Sequence, residues 1–237
     1  MGTTSRAYVL GLLTLVYTFN HIDRQILVIL LEPIKADLNL NDTQLGLLSG
    51  LAFAAFYATL GIPIAMWADR GDRRKIITLA LAVWSGMTAF SGLAQNYWHL
   101  LIARMGVGVG EAGGTPPATS IISDLYGPKE RATALGIYTT GIGIGILAGF
   151  IIGGIVYEAW GWRAAFFIAG VPGLLLALLV RFTLKEPVRG AVEARADVGI
   201  APTLKETLAF IGGQTSFLFL LAGCCLLCIS ANAFLVF

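Results

Sequence analysis

Apolar residues in this sequence come in runs of about 20, the length an α-helix needs to cross roughly 30 Å of hydrocarbon. Seven such runs occupy residues 7–31, 46–67, 76–94, 98–122, 132–156, 163–184 and 216–237. Backbone groups in lipid must find hydrogen-bond partners inside their own segment, so runs of this length are expected to be helices. Composition points the same way. Charged residues make up 13% of the chain, about half the share usual in soluble domains, and the mean hydropathy is +0.78. The expectation is an all-α membrane protein.

Orientation follows from the basic residues, which accumulate on the cytoplasmic side of membrane helices. The side holding the N-terminus receives twelve: Arg6, Arg70, Arg73, Arg74, Lys75, Lys129, Arg131, Arg181, Lys185, Arg189, Arg195 and Lys205. The other side receives two, Lys35 and Arg163, while Arg24 and Arg104 lie within spans. A multi-pass protein with a cytoplasmic N-terminus is expected, in the inner (plasma) membrane. The net charge of +2 is thereby explained by topology, and no nucleic-acid partner is expected. No cleavable signal is evident, because the first apolar run leads into a polar cluster instead of a small-residue cleavage site.

Composition changes sharply over 185–215, "KEPVRGAVEARADVGIAPTLKETLAFIGGQT". Three segments are expected: a six-helix transmembrane bundle over 1–184, a cytoplasmic linker over 185–215, and over 216–237 the first helix of an incomplete second bundle. The remaining C-terminal half of the same transporter is then an expected partner. Cys225-x-x-Cys228 lacks the second ligand pair of a metal site, so Cys224, Cys225 and Cys228 are read as buried packing residues, and no metal is expected. A weak internal repeat relates Leu45-Gly46, Trp67, Gly71 and Arg73 to Leu135-Gly136, Tyr157, Gly161 and Arg163, a shift of 90 residues. Gly141, Gly145, Gly149 and Gly153 recur every fourth residue and form a smooth stripe, on which helix backbones can approach closely.

Charges inside the spans are the strongest functional signal. "ARMGVGVGEAGGTPPA", 103–118, contains Gly108-x-Gly110-x-x-Gly113. A dinucleotide turn needs a preceding strand, a following helix and an acidic residue about 20 positions on, and this apolar run supplies none of them. What remains is Arg104 and Glu111 on one face of a spanning helix, seven residues apart. An ionised group at mid-membrane costs from about 2.5 to more than 10 kcal/mol and marks a partner or a wet cavity. The first span supplies candidates in "YTFNHIDRQI": Asn20, His21, Asp23 and Arg24. Counted from the far ends of their spans, Asp23 and Arg104 lie at depths of roughly 12 and 9 Å, so they can meet. Asp23, Glu111 and Arg104 are the expected proton-coupling set. Asn20, His21 and Arg24 are candidates for the wall of a substrate cavity. A carboxyl group away from water favours its protonated form and a neighbouring guanidinium the ionised one, so drawing the arginine away would load a proton.

"MWADRGDRRK", 66–75, packs six charges between two spans. It resembles the loop motif of the major facilitator superfamily, Gly-x-Leu-Ala-Asp-Arg-x-Gly-Arg-Arg, through Asp69, Arg70, Arg73 and Arg74. Ala65, Trp67 and Asp72 replace the first glycine, the leucine and the later glycine. The resemblance implies a cytoplasmic gate in which Asp69, Arg73 and Asp124 form a charge cluster, with Arg70 and Arg74 beside it. Arg104 with Gly108 resembles the family's helix-four motif, and "GILAGFIIGG" its helix-five antiporter motif, with Phe150 in place of the proline. "NHIDRQIL", "GVGVGEAG" and "GWRAAFFIAGVPG" are most similar to the spinster branch, whose members are associated with lysolipid or sphingosine-phosphate export.

The resemblance implies a major facilitator type six-helix N-terminal bundle followed by the first helix of a second bundle. It implies a proton-coupled secondary transporter working by alternating access, with an amphiphilic anionic lipid such as a lysolipid as substrate. Protons are the coupling ion, no other cofactor is expected, and membrane lipids surround the bundle. The alternative is symport of a hydrophilic organic anion or sugar phosphate. A membrane-embedded enzyme would need a nucleophile or metal constellation, whereas His21 and His99 stand isolated. A seven-span receptor would need the opposite orientation.

Overall fold

The computed structural model describes residues 5–190 and 204–236, in a larger unit that ends at Ala196 and a smaller one, Asp197–Phe237. Every regular element among the described residues is helical. The larger unit contains α1 (Arg6–Leu38), α2 (Asp42–Gly46), a π turn (Leu47–Leu51), α3 (Ala52–Arg70), α4 (Arg73–Ser91), α5 (Tyr97–Glu111), α6 (Thr115–Leu125) and α7 (Pro128–Thr183). The smaller unit contains α8 (Leu204–Gly212) and α9 (Thr215–Val236).

These helices make six traverses of the larger unit. The first is α1. It stops where Asn39 takes up the left-handed conformation, φ 52°, which asparagine tolerates better than most residues. The second starts from a reciprocal cap, in which the Asn41 side chain accepts from Gln44 N and the Gln44 side chain from Asn41 N. It then runs through α2 and the π turn into α3. The third is α4, whose first turn is held by the Asp72 carboxylate accepting from Lys75 N at 3.0 Å. The fifth and sixth are the two halves of α7, which fold back on each other at Gly161, φ 80°. Glycine alone enters that region without strain.

The fourth traverse differs from expectation. The apolar run 98–122 reads as one helix, but the structure breaks it directly after Glu111 into α5 and α6. Gly113 and Gly114 form the turn, and Pro116 and Pro117 open α6, where their missing N–H groups cost nothing. The glycines of this stretch also permit close packing. A Cβ on Gly108 would lie 2.8 Å from the Phe53 carbonyl oxygen of α3, and one on Gly110 would lie 2.6 Å from Trp84 N of α4. The spacing that mimics a dinucleotide turn therefore seats α5 between two neighbouring helices.

The glycine stripe of α7 lies on α1. A Cβ at Gly141 would stand 2.9 Å from Thr14 O, at Gly145 2.5 Å from Thr18 O, at Gly149 2.8 Å from Gln25 Cβ, and at Gly153 3.0 Å from Ile29 Cδ1. Two buried clusters fill the bundle. One gathers Leu13, Ile77, Leu81, Trp84, Ile121 and Val180; the other gathers Ile26, Leu30, Ile34, Leu100, Ala165 and Phe166.

Of the segment expected as a linker, residues 185–190 belong to the larger unit, where Glu186 and Arg189 bond to the α3–α4 turn, and Leu204–Gly212 forms α8 of the smaller unit; residues 191–203, with Arg195, lie outside the described residues. Cys224 and Cys225 are exposed on α9 instead of buried, because the smaller unit offers these positions no core of its own. The Cys228 side chain lies outside the described residues.

Candidate functional site

Arg24, on α1, and Glu111, the last residue of α5, form an ion pair with Arg24 Nε 2.5 Å from Glu111 Oε2. The Glu111 side chain is fully buried, whereas that of Arg24 is 34% exposed. Two aromatic rings complete the seat of the guanidinium, which lies 4.8 Å from the Phe53 centroid and 5.2 Å from that of Tyr57. The Arg104 guanidinium lies 5.4 Å from the Phe53 ring. Asn20, buried, lies within reach of the Glu111 side chain.

Asp23 lies near the same group, with Glu111 and Arg104 among the charges that act on it. It is completely buried, and among the described residues neither carboxylate oxygen makes a hydrogen bond of ordinary geometry. Its neighbours on α4 are Trp84 and Thr88, whose Nε1 and Oγ1 are also without partners. Arg104 is 4% exposed, and its Nε is unpartnered as well. Expected as the cation shared by both carboxylates, Arg104 donates no hydrogen bond to either among the described residues; Arg24 takes that place at Glu111. The reason is azimuthal. Consecutive residues on a helix point about 100° apart, so Asp23 and Arg24 at almost the same depth face different neighbours. His21 Nδ1 lies 3.0 Å from Tyr17 O. Tyr17 stacks on Tyr138 with centroids 4.4 Å apart and meets the His21 ring edge-on at 4.6 Å.

A second cluster occupies the face that carries the N-terminus. Arg73, 1% exposed, donates through Nη1 to Asp124 Oδ2 at 2.5 Å and to Ser120 Oγ at 2.8 Å. Its Nε donates to Glu186 Oε1 at 2.6 Å and its Nη2 to Pro187 O at 3.2 Å. Glu186 also accepts from Arg74 N at 3.0 Å, and Gly190 N donates to Asp124 Oδ1 at 3.0 Å. Arg74 Nη2 reaches Asp72 Oδ2 at 3.2 Å. Partial burial pushes the Asp72 carboxyl up, but the N–H of Lys75 and the Arg74 guanidinium outweigh it and hold Asp72 below the ordinary aspartate range.

Asp69 was expected in this cluster through its side chain. Among the described residues its carboxylate joins no ion pair, and Asp69 is exposed. It contributes its backbone carbonyl. Helix α3 ends at the exposed Arg70, leaving C-terminal carbonyls without helical partners. Arg189 donates to two of them, Ala68 O at 2.8 Å and Asp69 O, and to Gly71 O of the following turn at 2.5 Å. Glu186 and Arg189 thus complete the cluster, and sequence reasoning missed both. The signal was present in "KEPVRG", a charged stretch immediately after the sixth span and opposite a loop with unpaired carbonyls and arginines.

The family model of the Major Facilitator Superfamily matches residues 13–237. The chain is 36% identical over 219 residues to an MFS-type efflux pump of Mycolicibacterium smegmatis, covering 90% of this chain and 49% of that protein. It is 28% identical over 186 residues to the sphingosine-1-phosphate transporter SPNS2 of Danio rerio, covering 77% and 37%. Among solved structures it resembles a bacterial homolog of the human lysosomal transporter Spinster in an inward-facing, occupied conformation. There the TM-score is 0.76 at 43% identity, over 82% of this chain and 48% of that one. The chain therefore spans between about a third and a half of the length of these relatives. Its six traverses, the paired charges between α1 and α5, and the arginine cluster beside the α3–α4 turn all fall within that match: this chain belongs to the major facilitator superfamily, as a spinster-like, multi-pass membrane protein.

Proposed function

We propose that this chain forms the N-terminal half of a proton-coupled secondary transporter for an amphiphilic anion, working by alternating access. In this reading the face bearing Arg6 and the Arg73 cluster is cytoplasmic, and the membrane is the inner (plasma) membrane. Residues 1–184 are one bundle, 185–215 a cytoplasmic linker, and 216–237 the start of a second bundle. The observation that carries the reading is the Arg24–Glu111 pair, fully buried on the carboxylate side and partly open on the guanidinium side.

A cation held this way is a natural contact for an anionic headgroup. An anion that takes Arg24 leaves Glu111 buried with its nearest charge partner engaged elsewhere, and proton uptake relieves the uncompensated charge. Release of the anion lets Arg24 return and the proton leave. Asp23, fully buried, is the second proton site, and Arg104, beside the Phe53 ring and acting on both carboxylates, couples the two. Arg24, Phe53 and Tyr57 offer a charge against apolar surface, which suits a lipid headgroup joined to a chain. The sphingosine-1-phosphate transporter among the relatives supports that substrate class.

The test is reconstitution of the full-length protein in liposomes with an imposed pH gradient, comparing lysolipids with sugar phosphates and other hydrophilic anions. Gradient-driven uptake of the amphiphile is expected, with Glu111→Gln and Asp23→Asn losing the response to the gradient. Full gradient response in both variants overturns the coupling role. Transport of the hydrophilic anions alone replaces the substrate class.

A further inference from the structure

The Arg73 cluster has a counterpart on the opposite face of the larger unit. Arg73 follows the Gly71 turn by two residues, and Arg163 follows the Gly161 turn by two residues. Arg163 Nη1 lies 2.8 Å from Asp37 Oδ2, as Arg73 Nη1 lies 2.5 Å from Asp124 Oδ2. Each Nη2 donates at 3.2 Å to a carbonyl just past the end of the other arginine's helix: Ala94 O, after α4, for Arg163, and Pro187 O, after α7, for Arg73. Each aspartate holds a second donor: Trp162 Nε1 at 3.3 Å for Asp37, and Gly190 N at 3.0 Å for Asp124.

The correspondence extends to the centre. Asp37 ends the helix that carries Arg24, and Asp124 ends the traverse that carries Glu111. Arg24 and Glu111 are 87 residues apart, and so are Asp37 and Asp124 in the numbering. The two clamps are thus repeat mates, one on each face, with the intramembrane pair joining the mated helices between them. They differ in burial. Arg73 is 1% exposed at its side chain, whereas Arg163 and Asp37 are 43% and 44% exposed. The Arg163 guanidinium is seated 4.1 Å from the Trp162 ring, which restrains an otherwise mobile side chain.

We propose that Asp37 and Arg163 are positioning residues of the transport cycle: a second latch, which holds the opposite face closed as the Arg73–Asp124 latch holds the N-terminal face. The proposal rests on the alternating-access reading. The more buried latch is the firmer one, and the exposed latch is open to screening by salt.

The experiment is hydrogen–deuterium exchange of the full-length protein in nanodiscs, comparing Asp37→Asn with Asp124→Asn. Asp37→Asn is expected to raise exchange at the π turn 47–51, outside the ion pair itself, by about threefold. It should lower exchange on the other face, at 70–75 and 185–190. Asp124→Asn is expected to give the reverse pattern. The reversed pair, Asp37→Arg with Arg163→Asp, should return both faces to the wild-type pattern, which a variant that merely unfolds cannot do. If Asp37→Asn loosens only its own contacts while Asp124→Asn still shifts both faces, the second latch is overturned and alternating access stands. If neither variant moves the two faces in opposite directions, the alternating-access reading falls with it.

Discussion

Arg24 and Glu111 join the first and fourth traverses through a single contact, Nε to Oε2 at 2.5 Å, with the carboxylate side fully buried. The pair is unequal in its exposure, and the inequality determines what each truncation should do.

Arg24→Met removes the cation and leaves the buried carboxylate. Breaking a buried pair from one side costs about 3–5 kcal/mol. Because Arg24 is one-third exposed, a loss of about 2 kcal/mol is expected from unfolding in detergent. Glu111→Gln, which leaves the cation facing partly open space, should cost less. The double variant should recover more than half of the Arg24→Met loss; strictly additive losses would show that the pair is not coupled.

The α1–α7 contact makes a sharper contrast between two neighbouring glycines. A Cβ at Gly145 would meet Thr18 O at 2.5 Å, a backbone atom that cannot move aside, while one at Gly143 would meet nothing within 4 Å. Gly145→Ala should therefore lower the thermal midpoint by several degrees. Gly143→Ala should leave it unchanged or raise it, since alanine gains about 0.5–1 kcal/mol over glycine within a helix. Equal effects at both positions would refute the packing argument.

Asp72 caps α4 and is held below the ordinary aspartate value of 3.8 by Lys75 N and Arg74, against the opposing effect of partial burial. A depressed native value means that its stabilisation is present above the unfolded value and fades as pH falls through the native one. Asp72→Ala should cost about 1 kcal/mol at neutral pH, the usual worth of such a cap. That difference should shrink below about pH 4. A pH series of unfolding midpoints for both proteins checks it; a gap that widens on acidification contradicts the sign.

Arg73 makes its four side-chain contacts with a planar fork, and lysine cannot reproduce that geometry. Arg73→Lys should therefore behave as a loss. Amide exchange at Gly190, whose N–H is held by Asp124, should rise along with that of the α4 N-terminus. Unchanged exchange at Gly190 would show that residues 185–190 are held without the arginine.

These expectations differ in how much of their basis can be read from the chain. The spans and the intramembrane charges are legible because each reflects a local property: the length of an apolar run or a residue's cost in lipid. The Arg73–Asp124 pair was legible only through the resemblance of 66–75 to a family motif. The break after Glu111 was also written there, in Gly113-Gly114 followed by Pro116-Pro117, but apolar composition alone concealed it.

Depth is a one-dimensional quantity, and the sequence by itself determined it: Asp23, Arg24, Arg104 and Glu111 had to lie within the bilayer, on the first and fourth spans. Which of them touch was decided only by the tertiary structure. The glycine stripe of α7 fixes the rotation of α1 about its own axis. That rotation turns Arg24 toward Glu111 and Asp23 toward Trp84 and Thr88. Neighbours in the chain diverge by about 100° around a helix, and no spacing rule says which way the helix is turned.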